Sequence, residues 1–237
     1  MINKRITIFT GYFGSGKTEI ALNYAVDLCA KYCQTAGVLA NPEVTLIDLD
    51  LVNPYFRSQE AKDILEEKGI KVIAPPEAMR GSDLPVLVSE AFEAFTRQKG
   101  FLVVDVGGDD QGALALGQFR QWLKEGSYEF WLVVNPYRPF NEDVAGIAAT
   151  CQRIEAASRL RLTGLVSNPN LGRETTPEVI VEGHQVVLKA AEELGLPVQA
   201  LVIHETVASR WRETELSSEG VPVLSIKTFL YPEWLDD

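Results

Sequence analysis

Residues 11–18, Gly11-Tyr12-Phe13-Gly14-Ser15-Gly16-Lys17-Thr18, match G-x-x-x-x-G-K-[ST] and constrain the fold more than any other feature of the chain. A loop of this kind works only where a strand delivers it and a helix carries the chain away, because its backbone N–H groups and the helix N-terminus must converge on a phosphate. Both flanks comply. Residues 5–10 form a β-branched run closed by Gly11, and Ile20, Tyr24 and Leu28 recur every four positions within 19–32. The glycines let the backbone curl. Lys17 is expected to reach the β and γ oxygens of a nucleoside triphosphate, and the Thr18 hydroxyl to coordinate Mg²⁺.

The alternation continues beyond the loop. Apolar runs predict further strands at 44–48, 71–74, 101–106, 130–134, 162–167, 198–203 and 223–226. Helical periodicity predicts helices at 58–68, 84–98, 113–124, 142–158, 177–194 and 207–216. Repeated βα units with near-continuous apolar strands mean a three-layer α/β fold, a mostly parallel sheet with helices on both faces. In such sheets ligands sit at the carboxyl ends of the strands. With 237 residues, 46% of them hydrophobic, and no repeat or low-complexity stretch, one domain spanning 1–237 is expected.

Several strand ends carry polar residues suited to that position. Phe101-Leu102-Val103-Val104-Asp105 delivers a carboxylate to the place of a Walker B acid. Its continuation through Val106-Gly107-Gly108 gives D-x-x-G, where the Gly108 N–H can approach a γ-phosphate. Val44-Thr45-Leu46-Ile47-Asp48-Leu49-Asp50 brings two more acids. A carboxylate at Asp50 can position a water in line with the γ-phosphate or can cap a turn, in which case Asp48 or Asp109 would take the catalytic role. Two later strands end in Asn135-Pro136 and Asn168-Pro169, and an asparagine can both donate to and accept from a base edge.

A P-loop, a strand ending Asp-x-Asp and a D-x-x-G strand end together resemble the MinD/ParA/ArsA branch of P-loop ATPases, the CobQ/CobB/MinD/ParA nucleotide-binding domains. The resemblance spans residues 6 to about 226, with its sharp motifs in the first half. It implies a sheet of seven or eight strands, Asp48 near the magnesium, Asp50 as the switch I acid that orients the attacking water, and Asp105 as the switch II acid. It thus makes Lys17, Asp50 and Asp105 the catalytic set and Thr18, Asp48 and Asp105 the Mg²⁺ set. Asn168, or failing it Asn135, would meet the adenine. It further implies a nucleotide-dependent homodimer. Many such ATPases carry a second lysine two residues before the middle glycine, where this chain has Tyr12; Arg57 and Arg138 are candidate substitutes, or are ordinary solvated arginines. Asn135 is followed by Pro-Tyr-Arg and Asn168 by Pro-Asn-Leu, so the guanine motif N-K-x-D is absent and ATP is the expected nucleotide.

Composition narrows the remaining classes. Lys and Arg total 22 against 33 Asp and Glu, a net charge of −11, which argues against a nucleic-acid partner. No window approaches the roughly 18 apolar residues of a membrane span, and the chain ends in an acidic stretch where membrane-associated relatives carry a basic amphipathic helix. A cytoplasmic location without a membrane anchor is expected. Three cysteines suit a reducing compartment; Cys29 and Cys33, at i and i+4, either clamp a metal or fill apolar space. His184 and His204 lack metal-ligand spacing. The leading expectation is a Mg²⁺-dependent ATPase switch cycling between ATP and ADP with an unidentified protein partner. A dethiobiotin synthetase/CobQ-like kinase or ligase and a UreG/HypB/CooC-like metallocentre-maturation NTPase are the alternatives.

Overall fold

Strands β1 (Ile6–Thr10) and β2 (Val44–Asp48) are buried at every position, which requires a cover on each face of the sheet they share. The computed structural model, which describes residues 4–33, 43–49, 59–74, 85–97, 99–208 and 220–229, supplies it. The other strands are β3 (Ile70–Ile73), β4 (Phe101–Asp105), β5 (Tyr128–Val134), β6 (Gly164–Ser167), β7 (Val198–His204) and β8 (Val223–Ile226). They form one eight-stranded sheet in the order β3-β2-β4-β1-β5-β6-β7-β8, and every pairing is parallel.

The handedness of crossovers decides which helix covers which face. A right-handed βαβ connection puts helices on one face when the chain moves left and on the other when it moves right. The chain moves towards the β3 edge through α1 (Lys17–Cys33) and α2 (Gln59–Glu67). It moves towards the β8 edge through α3 (Pro85–Thr96), α4 (Asp110–Gly117), α5 (Val144–Ser158) and α6 (Pro177–Leu194). Among the described residues two large cores result, beside a smaller cluster of Ile180, Leu201, Ile203 and Val207. One packs Ile20, Leu28 and Leu65 under Phe9, Leu46 and Val133. The other packs Phe95, Leu116, Ile147 and Val187 under Ile8, Val104 and Leu132. Neighbouring strand residues such as Ile8 and Phe9 therefore serve opposite cores, as the two-residue period of a strand demands.

Caps fix the helix ends. Asp109 and Asp143 accept hydrogen bonds from Gly112 N and Gly146 N at the starts of α4 and α5, while Thr176 and Pro177 open α6 and Gly195 closes it at φ 65°. The helix expected at 113–124 is shifted: α4 starts at its Asp109 cap and ends at Gly117, and Arg120–Trp122 forms a single 3₁₀ turn. The apolar residues that extended the helical period beyond Gly117 serve another purpose. Phe119 stacks on Phe95 at 4.4 Å, and Trp122 meets Phe92 edge-on at 5.1 Å, so they seal α3 to the sheet. Of the helix expected at 207–216, α7 (Glu205–Ala208) is present and residues 209–216 lie outside the described region.

Cys29 is buried and its thiol donates to the Lys68 carbonyl at 3.2 Å, the role of a small core residue; the Cys33 side chain lies outside the described region. Burial pushes the Cys151 thiol up to about 12. No helix among the described residues is long and apolar enough to cross a membrane.

Candidate nucleotide site

β1 lies at the centre of the sheet between β4 and β5, so the loop that follows it opens where three strands end. Gly14 (φ 77°) and Gly16 (φ 84°) occupy the left-handed region that favours glycine. Ser15 N–H donates to the Tyr12 carbonyl at 2.9 Å, closing a turn, and Ile20 N–H donates to Gly16 O at 3.0 Å, starting α1 with Lys17 as its first residue. Gly11 has no room for a side chain: a Cβ there would sit 2.5 Å from the Val133 carbonyl oxygen of β5. A curled loop feeding the N-terminus of a 17-residue helix is a phosphate cradle.

Two buried acids stand beside it. Asp48 and Asp105 are paired in register at the ends of β2 and β4 and each is 1% exposed. The Thr18 hydroxyl donates to Asp105 Oδ2 at 2.6 Å, joining helix α1 to the end of β4. Neighbouring buried carboxylates destabilise one another unless a cation lies close by. Hydroxyl and carboxylate oxygens are the hard donors that Mg²⁺ takes. The ion uses few protein ligands, completing its shell with water and substrate phosphate, and Thr18, Asp48 and Asp105 fit that pattern. Asp50 and Arg57, also expected here, lie outside the described residues.

Gly108 of D-x-x-G packs against the phosphate loop itself: a Cβ on it would lie 1.9 Å from Gly11 O and 2.8 Å from Tyr12 N. Asp109, the alternative catalytic acid, is engaged as the cap of α4, its Oδ1 accepting from Gly112 N at 2.7 Å.

A phosphate cradle at the central strand, a hydroxyl–carboxylate pair beside it and a parallel sheet covered on both faces define the architecture. The fold is that of the P-loop NTPases. Solved structures agree at the level of fold. Cell division protein FtsY from Thermotoga maritima is 19% identical with a TM-score of 0.53, over 84% of this chain and 62% of that one. Chloroplast FtsY from Physcomitrella patens is 14% identical with a TM-score of 0.54, over 84% of this chain and 58% of that one. Signal recognition particle receptor FtsY from Elizabethkingia anophelis is 18% identical with a TM-score of 0.50, over 83% and 58%. This chain thus spans about three-fifths of the length of each. No family model matches the sequence, and neither does any curated protein sequence.

Asn135 and Asn168, the expected base contacts, are both buried and both hydrogen-bonded to loops at this end of the sheet. Asn168 is 3% exposed and its Nδ2 donates to the Ser15 carbonyl at 2.7 Å, bracing the phosphate loop from β6. Asn135 is 1% exposed; its Nδ2 donates to Asn170 O at 2.8 Å, and its Oδ1 accepts from Tyr137 N at 3.1 Å and Asn170 N at 3.4 Å. The repeated Asn-Pro after two adjacent strands was the visible signal. A proline cannot donate, so the asparagine amide ties the loop instead.

Sequence reasoning left the turn after β5 almost unused, yet it leans on the phosphate loop. Phe140, at φ 66°, stacks edge-on with Tyr12 at 5.2 Å, and Arg138 Nε donates to Gly14 O at 3.3 Å.

His184 is a core residue, 4% exposed, with Nδ1 sharing a 2.9 Å hydrogen bond with Ser167 Oγ beside the Asn168 brace. Burial pushes its pKa down from 6.5 to about 4. The unfolded chain therefore binds the proton more readily, and stability present above pH 6.5 is lost as pH falls towards 4, by up to about 3 kcal/mol. Urea midpoints from pH 7 to pH 4.5 should show this loss, and His184→Gln, weaker at neutral pH, should show a shallower pH dependence in that window.

Proposed function

We propose that this chain is a Mg²⁺-dependent nucleotide switch of the MinD/ParA-like kind, which binds ATP and hydrolyses it. The observation that carries the reading is the contact of Gly108 with the backbone of the phosphate loop, with the Thr18–Asp105 hydrogen bond beside it. Lys17, at the loop end of α1, neutralises β and γ oxygens; the glycine loop holds the phosphates through its N–H groups. Thr18, Asp48 and Asp105 would hold a Mg²⁺ ion, which would supply charge to offset the phosphates. Arrival or loss of the γ-phosphate moves the Gly107–Gly108 segment and the α4 helix capped behind it. Asp50 positions the attacking water in this reading.

The choice of ATP rests on the absence of N-K-x-D after Asn135 and Asn168. The switch reading also requires a partner surface or a second copy, and the 65% exposure of Leu114 on α4, with Phe13 and Phe140 each 60% exposed at the loop mouth, supports one there.

Titration with ATP and with GTP, each with Mg²⁺ and with EDTA, tests the reading. Asp105→Asn should weaken binding at least about tenfold in Mg²⁺ and little in EDTA, since the charge that it removes acts through the metal. Equal affinity of wild type and variant in Mg²⁺ would sink the metal assignment, and a clear preference for GTP would sink the choice of base.

A further inference from the structure

We infer that Arg138 is a phosphate-contacting residue, supplied in cis to the loop on which Tyr12 replaces a lysine. The inference rests on the nucleotide reading above and adds to it a second cation. Asp48 and Asp105 are buried acids, and together with Lys17 those three residues carry a net negative charge before a Mg²⁺–triphosphate of charge about −2 arrives. Tyr12 contributes no charge. Arg138 does, at the middle glycine of the loop: its Nε, Cδ and Cζ lie 3.3, 3.6 and 3.8 Å from where a Gly14 Cβ would be. That glycine has no side chain to keep the guanidinium away.

The geometry also leaves the guanidinium with donors to give. Nε donates to Gly14 O at 3.3 Å, which leaves both terminal nitrogens, and no carboxylate among the described residues pairs with Arg138. Their fork matches two phosphate oxygens.

The turn that carries Arg138 is held on both sides. Arg138 N donates to Asn135 O at 3.1 Å and Asn141 N to Arg138 O at 3.1 Å. Tyr137 OH donates to Val179 O of α6 at 2.6 Å, and Phe140 stacks on Tyr12. An arginine on a fixed turn loses less freedom when it binds than one on an open loop. The Asn135 amide, which closes this turn, thereby acquires a purpose at the phosphate end of the nucleotide.

The experiment compares wild type, Arg138→Gln, Arg138→Lys and Lys17→Ala in calorimetric titration with Mg·ATP, Mg·ADP, Mg·GTP and Mg·GDP, with thermal melts of each protein. Arg138→Gln should lower affinity for the favoured triphosphate about tenfold or more while the diphosphate changes less than about twofold, because the charge meets the terminal phosphate. Arg138→Lys should recover part of the loss, with melting temperatures unchanged. Wild-type triphosphate affinity in Arg138→Gln, alongside lost binding in Lys17→Ala, would overturn the Arg138 assignment and leave the nucleotide reading standing. Equal loss of di- and triphosphate with a lowered melting temperature would reduce Arg138 to a brace for Gly14 and overturn it as well. Failure of wild type to bind any of the four nucleotides would overturn both readings.

Discussion

Lys17→Ala is expected to abolish measurable Mg·ATP binding and hydrolysis while the protein melts within a few degrees of wild type. The side chain opens α1 at the mouth of the phosphate loop and lies outside both cores. Its loss therefore removes a charge from the ligand and little from the packing. A charge-assisted contact left unmade against a multiply charged ligand costs about 3 kcal/mol, more than a hundredfold in affinity. Titration calorimetry and a phosphate-release assay on wild type and variant check this. Retention of wild-type affinity in a folded Lys17→Ala protein would remove the basis of the functional reading.

Gly108→Ala should be strongly destabilising, its Cβ meeting the shortest contact of any compared glycine among the described residues. A Cβ 1.9 Å from Gly11 O and 2.3 Å from Gly11 C overlaps backbone, which cannot rotate away as a side chain would. Either the D-x-x-G segment or the phosphate loop must move, at about 2–4 kcal/mol of stability and with loss of nucleotide affinity. Gly69→Ala is the contrast: nothing lies within 4 Å of its Cβ position, so only the left-handed φ of 81° is penalised, by about 1 kcal/mol. Urea denaturation of both variants measures the difference. A Gly108→Ala protein as stable as Gly69→Ala and binding Mg·ATP normally would show that the two loops are not in contact.

The layers of this fold were legible because each strand is short, apolar and bounded by polar residues. β2 and α6 fall where the pattern put them, at 44–48 and 177–194. Boundaries slipped where a cap competed with periodicity: Asp109 pulls the start of α4 forward and Gly117 ends it, although Phe119 and Trp122 keep the helical spacing. The phosphate loop was legible because its chemistry requires residue types at fixed spacing along the chain, and Thr18 and Asp105, each marked by its own local motif, are joined by a hydrogen bond in the structure. The contacts of Asn168 with Ser15 and of Arg138 with Gly14 join positions separated by more than a hundred residues, and nothing in the local sequence announces which loops meet. The bracing hydrogen bonds of Asn135 and Asn168 were hidden for a related reason. An exposed amide at a strand end and a buried one have the same spelling.

The central place of β1 also dictates the order in which the molecule is assembled as it is made. Ile6 pairs with Leu102 on one side and Tyr128 on the other, so β1 leaves the ribosome before either neighbour and stays unpaired in the sheet until β4 follows it. At ordinary elongation rates that is a wait of about 5–20 s with an apolar segment uncovered. The phosphate loop acquires its wall at Val133 later still, and its brace from Asn168 only after β6 has emerged. Nascent chains arrested before β5 is clear of the exit tunnel should therefore fail to retain nucleotide, and should present the Ile6–Thr10 strand to chaperones that recognise extended apolar chain.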